Sequence, residues 1–193
     1  MRPVAVLLVA LAVGAVTAVL WPRDTATAPD SCGATRATPA QVGIAAAAQA
    51  TLCLLNRERA SRGLAPLREN ALLRTASLAH SRDMVTAGYF EHTAADGRTV
   101  QDRLRAIGYV GGRTASTGEN IAYGVGAKSS PAAIVRLWMN STGHREDILR
   151  PAFTEIGIGI ALGAPGVGAS KQADSATYTT DFGGVFDPSL PSG

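Results

Sequence analysis

The sequence predicts an α+β fold in which helices pack on a small antiparallel sheet. Three observations carry this reading. Capped stretches of helical periodicity recur between residues 38 and 140. Strand-like alternation becomes clear only from Glu155 onward. A loop rich in Gly and Pro, residues 163–173, separates two such runs as in a hairpin. The chain has 193 residues, 46% of them hydrophobic and only 17% charged, which supplies apolar material for a core and excludes a disordered polymer.

The elements follow in order. Thr38-Pro39-Ala40-Gln41 opens a helix, with Thr38 as cap, Pro39 in the first turn and Gln41 placed to complete a capping box. Ala45, Ala48, Leu52 and Leu55 fall on one face of it, and Gly63 stops it. A second helix runs from its cap Asn70 to Gly88, with Leu73, Ala76, His80 and Met84 as its stripe. Thr99 and Asp102 resemble a capping box that opens a third helix ending at Ile107. Ser130-Pro131 opens a fourth, reaching about Asn140. In Glu155–Leu162, Ile alternates with Gly, and those glycines imply close approach of a neighbouring backbone. Thr177–Phe182 makes the second strand, and Asn120–Tyr123 is a candidate for a further one.

Residues 3–22 carry no charge and follow Arg2, the pattern of a signal peptide or an N-terminal membrane anchor within residues 1–28. Ala26-Thr27-Ala28 resembles a cleavage site, whereas the length of the apolar stretch suits an uncleaved anchor. Either places the rest of the chain outside the cytoplasm, with Arg2 inside. Residues 29–37 form a linker, 38–187 the folded domain and 188–193 a loose tail. In an oxidising compartment Cys32 and Cys53 read as a disulfide closing a loop of about 20 residues, the alternative being two unpaired thiols.

The net charge is +3, but the arginines are spread from Arg2 to Arg150 among acids, with no basic run, which argues for solvated helix faces over a nucleic-acid patch. Phosphate-loop and dinucleotide signatures are absent. Of the three histidines, His80 sits mid-helix on the apolar stripe and reads as a core residue bonded to backbone. His92 and His144 fall just beyond helix ends, where loop residues often carry function. Glu119 is a lone acid entering an apolar strand and needs a partner there. His92, Glu119 and His144 together could make a divalent-metal site or an acid/base site, or each could have its own structural role.

A series of segments carries a resemblance. Leu54-Leu-Asn-Arg-Glu-Arg-Ala60 comes first, then Ala79-His-Ser-Arg-Asp-Met84, Phe90-Glu-His92 and Gly118-Glu-Asn-Ile-Ala122. Trp138-Met-Asn-Ser-Thr-Gly-His-Arg145 and Phe153-Thr-Glu-Ile-Gly-Ile-Gly159 follow. In this order they resemble the CAP superfamily of cysteine-rich secretory, antigen 5 and pathogenesis-related proteins, and its bacterial SCP-domain branch in particular, over about residues 45–186. The resemblance implies a three-layer α-β-α sandwich with a small antiparallel sheet. It also implies a central cavity holding His92, Glu119 and His144, with Ser141 near the place where the family has a second glutamate. Two imidazoles and one carboxylate are a common set for a divalent metal such as zinc, with one position open to water.

Three functions follow as expectations. The first is a non-enzymatic extracytoplasmic binding module, acting as a monomer on a small apolar ligand, a cell-envelope component or a protein. The second is a hydrolase using Ser141, His144 and Glu119. The third is metal-assisted chemistry through His92, Glu119 and His144. The first is preferred, with no nucleic acid as partner and a membrane only through an uncleaved N-terminal segment.

Overall fold

In the computed structural model, residues 32–111, 115–168 and 172–185 are described, Val185 by its backbone alone. The expected N-terminal targeting segment, residues 29–31 of the linker and the 188–193 tail lie outside them. Gly43 (φ 86°, ψ 150°) splits the first expected helix into α1, Pro39–Val42, and α2, Ile44–Ala60. A glycine adopts this positive φ without the clash a Cβ would bring, so the helix turns a corner at a position where periodicity alone runs straight on. Gln41 Oε1 accepts from the Thr38 N–H at 2.9 Å, as expected of a capping box.

The second helix forms where its signals stand. In α3, Ala71–Ala87, the Asn70 side chain accepts from the amides of Leu72 and Leu73, and Gly88 closes the helix in a left-handed conformation (φ 74°). The third, α4, spans Val100–Ala106 with a complete capping box. There Asp102 accepts from the Thr99 N–H at 3.0 Å, and Thr99 Oγ1 accepts from the Asp102 N–H at 3.3 Å. The fourth, α5, spans Pro131–Asn140. Ser141 then takes an extended conformation, and a further helix, α6, runs over Thr142–Ile148. His144 therefore lies within a short helix rather than in a loop.

The sheet has four strands in the order β1-β3-β4-β2. β3 (Glu155–Leu162) and β4 (Ser175–Val185) form the expected hairpin, and β2 (Ala115–Val125), longer than the sequence suggests, pairs antiparallel with β4 along its whole length. The two-residue β1, Arg68–Glu69, adds to β3 in parallel, so the sheet is antiparallel except at that margin. β3 carries α3 on one face, and the glycines set how close it comes. A Cβ at Gly157 would stand 2.0 Å from the Leu73 carbonyl carbon, and one at Gly159 2.1 Å from the Leu78 nitrogen. Ser77 and Ser81 use that proximity: Ser77 Oγ donates toward Asp181 Oδ2 at 2.8 Å, and Ser81 Oγ donates to Thr179 Oγ1 at 2.8 Å.

The opposite face bears the larger core. Ile156, Ile158 and Ile160 of β3 meet Leu55 of α2, Trp138 of α5, and Phe153 and Phe182, which stack 5.5 Å apart. Thus α2, α5 and α6 form one outer layer and α3 with α4 the other. The Cys32–Cys53 disulfide, with Cα atoms 5.5 Å apart, ties the start of the described chain to α2.

Candidate functional site

β2 is the outermost strand on its side of the sheet. Glu119 and Asn120 lie side by side on it, and alternation sends their side chains to opposite faces. Glu119 meets α4 and the segment carrying His92, and Asn120 meets α6. A cleft of about 360 Å³ opens at this strand, lined by His92, Glu119, Asn120, Ser141, His144 and Asp147 among others. The fold therefore brings all four expected site residues, His92, Glu119, Ser141 and His144, to one place.

Glu119 is buried, with only 1% of its side chain exposed, and both its oxygens are engaged. Oε1 faces His92 Nδ1 at 2.8 Å, and Oε2 accepts from the Arg103 guanidinium. Arg103, itself buried on α4, also donates to the carbonyls of His92 (2.9 Å) and Arg98 (3.2 Å), so one guanidinium holds the acid and the backbone of the segment that carries the histidine. His80, a core histidine as expected, places Nε2 3.0 Å from the Glu91 carbonyl and 4.0 Å from Glu119 Oε1. The hydrogen bond to Glu119 raises the His92 pKa, against the opposing effect of burial. Burial lowers those of His80 and His144, and for His144 the neighbouring His92 adds to the effect.

A second acid lies behind the first. Asp181 is the register partner of Glu119 across β2 and β4 and is fully buried. Burial, and then the adjacent Glu119 charge, push its carboxyl well above the usual carboxylate range. Sequence reasoning missed Asp181 and Arg103. Asp181 does leave a trace, an acid in alternation with Thr177 and Thr179 on a strand face that meets a helix. Arg103, set between Arg98 and Arg105, leaves none.

As a third metal ligand Glu119 is already engaged, with Oε2 accepting from Arg103 and Oε1 facing His92 Nδ1. Among the described residues, no three His, Cys, Asp or Glu side chains gather as metal ligands. Nor does Ser141 form a nucleophile–base pair. It caps α6 with no hydrogen bond from its side chain to the helix, and among the described residues none joins it to His144.

At Ser141 and His144 the cleft adjoins a larger groove of about 680 Å³ between the end of β2 and α5. Tyr123, Val125, Ala133 and Leu137 give it an apolar lining, and Lys128 and Arg136 stand on it. Tyr123 and Leu137 are 40% and 47% exposed, and Tyr123 packs edge-on against exposed Phe90, with ring centroids 4.9 Å apart. No helix among the described residues is long and apolar enough to cross a membrane.

Known proteins share this framework. The model of the cysteine-rich secretory protein family (CAP) matches residues 52–179. The chain is 41% identical over 106 residues, 55% of its own length, to "Uncharacterized protein YkwD" of Bacillus subtilis strain 168, and that match spans 39% of YkwD. Among solved structures, an extracellular protein containing a SCP domain from Bacillus anthracis aligns at a TM-score of 0.56 and 30% identity. That alignment covers 69% of this chain and 39% of the other. An outer surface protein of Borrelia burgdorferi aligns at the same TM-score with 18% identity, over 69% of this chain and 88% of its own, a likeness of fold. The chain thus spans about two fifths of YkwD and of the Bacillus anthracis protein. The order of motifs, the sandwich around a four-stranded sheet and the family match agree: the chain belongs to the cysteine-rich secretory protein family, in its bacterial branch.

Proposed function

We propose that this protein is a non-catalytic binding module working outside the cytoplasm, taking its ligand in the trough formed by the His92–His144 cleft and the adjoining groove. The observation that carries the reading is the state of Glu119. Both its oxygens are spent on Arg103 and His92, so the acid braces the wall of the trough and is not free to take up a proton from a substrate. The apolar groove beside it offers the surface that ligand burial needs.

Export is supported by the uncharged stretch of residues 3–22 behind Arg2. The Cys32–Cys53 bond agrees with it, since disulfides persist in oxidising compartments. So does the Bacillus anthracis relative, which is described as extracellular. The test is an NMR screen of the full chain against lipids, glycans and peptidoglycan fragments. A ligand that shifts Tyr123 and His144 together supports the module. A screen in which no member perturbs either residue overturns it.

A further inference from the structure

The trough is chemically graded along its length. β2 orders it: Glu119 and Asn120 line the cleft, and Tyr123, Gly124 and Val125 line the groove. Six strand steps separate Glu119 from Val125, about 20 Å of extended chain. At the groove end stands Lys128, with Arg136 on the α5 wall beside Leu137; both are exposed, and neither side chain has an ion pair or hydrogen bond among the described residues. At the cleft end stands exposed Glu146, also without an ion pair among the described residues, beside Asp147, which pairs with Arg150 at 3.2 Å. Between the ends the walls are apolar: Ala133, Leu137 and the Tyr123 ring.

Where cleft and groove meet, two buried polar atoms lack a hydrogen-bond partner among the described residues. These are His144 Nδ1 and Asn120 Oδ1, the latter on a fully buried side chain whose nitrogen donates to the His144 carbonyl at 3.0 Å. Buried polar groups are ordinarily satisfied, so these two atoms leave hydrogen-bonding capacity unspent beside the cleft.

We infer that the trough binds an extended peptide of about six residues with an apolar middle, its terminal carboxylate at Lys128 and Arg136 and its amino end toward Glu146. This rests on the binding-module reading and names its ligand class. A peptide is the ligand that carries opposite charges at its two ends, apolar side chains between them and amide groups throughout. A fatty acid would meet Lys128 and Arg136 equally well, but it brings no cation to Glu146 and no amide to Asn120 and His144. A neutral glycan uses neither charged end.

The test is calorimetric titration of the full chain with a synthetic peptide that has a lysine at its amino end, valine and leucine in the middle and a free terminal carboxylate. The expected result is saturable 1:1 binding that weakens about tenfold when the carboxylate is amidated, and by a similar factor in Lys128→Glu/Arg136→Glu. Because both substituted residues are exposed, a thermal melt unchanged from the parent confirms that the variant is folded. A peptide with lysine at its carboxyl-terminal end, amidated, should then bind the double variant better than the parent. Absence of peptide binding up to about 1 mM overturns the inference, and so does binding indifferent to amidation and to both substitutions. If palmitate binds where the peptide does not, the peptide is excluded and the binding module stands. If neither perturbs Tyr123 and His144, the peptide is excluded, and the module is decided separately by the glycans and peptidoglycan fragments of the wider screen.

Discussion

Removing Arg103 is the sharpest test of how the site is built. Its guanidinium donates to Glu119 and to the carbonyls of His92 and Arg98, and its side chain is 6% exposed. Arg103→Met keeps most of the volume and deletes all of these bonds, leaving the Glu119 carboxylate buried beside Asp181 with His92, at 2.8 Å, as its nearest cationic partner. Breaking one side of a buried ion pair costs about 3–5 kcal/mol. In a domain of this size each kcal/mol moves the melting temperature by about 2–4 °C, so a fall of about 10 °C is expected. Glu119→Gln in the same background removes the stranded charge. The double variant should therefore be more stable than the sum of the two single losses by at least about 1.5 kcal/mol. The assay is urea unfolding of the four proteins of the cycle at neutral pH. Additive losses within about 0.5 kcal/mol would refute the reasoning, because they would mean that Arg103 and Glu119 do not sense each other.

The other expectations are read by similar means. Gly157→Ala puts a methyl 2.0 Å from the α3 backbone and should cost about 3 kcal/mol or more in urea unfolding, whereas Gly143→Ala, in open space on α6, should be neutral or gain about 0.5–1 kcal/mol. Asp181→Asn should stabilise the protein at neutral pH. The folded carboxyl titrates above its unfolded value of 3.8, so the parent loses stability as pH rises from about there to the folded value, and the gain should vanish near pH 3. His92 contributes with the same sign in a higher pH window. Its folded pKa lies above 6.5, so its stabilisation is full below 6.5 and is lost as pH climbs through the folded value. Denaturation of His92→Ala at a series of pH values should lack that decline. Reducing Cys32–Cys53, separated by 21 residues, should cost about 3 kcal/mol, read as a lower urea midpoint with dithiothreitol.

Much of this architecture was legible in the sequence because local chemistry fixes it. Asn70 and Gly88 bound α3, and Thr99 with Asp102 opens α4, through bonds made within four residues of one another. The alternation of Ile and Gly in β3 foretold a close helix, and α3 rests there. Gly43 was misread because a glycine inside a periodic stretch is compatible with both a helix and a corner, and tertiary packing chooses. The helix α6 was missed because seven residues carry too little periodicity to register. In the site, His92, Glu119, Ser141 and His144 were identified through their motifs and share one cleft. Of the expected set His92, Glu119 and His144, Glu119 is the member already engaged, and the residue that engages it beside His92 is Arg103. Its burial is a consequence of how α4 meets β2, and nothing within its own helix distinguishes it from Arg105.

That Glu119 is a brace and the trough a binding surface can be tested in one time-resolved NMR experiment, with a charged-end peptide added to the full chain. The account predicts saturable shifts at Tyr123 and His144, with the peptide intact at the end in the parent and in Ser141→Ala alike. Cleavage of the peptide, lost in Ser141→Ala or Glu119→Gln, would contradict it.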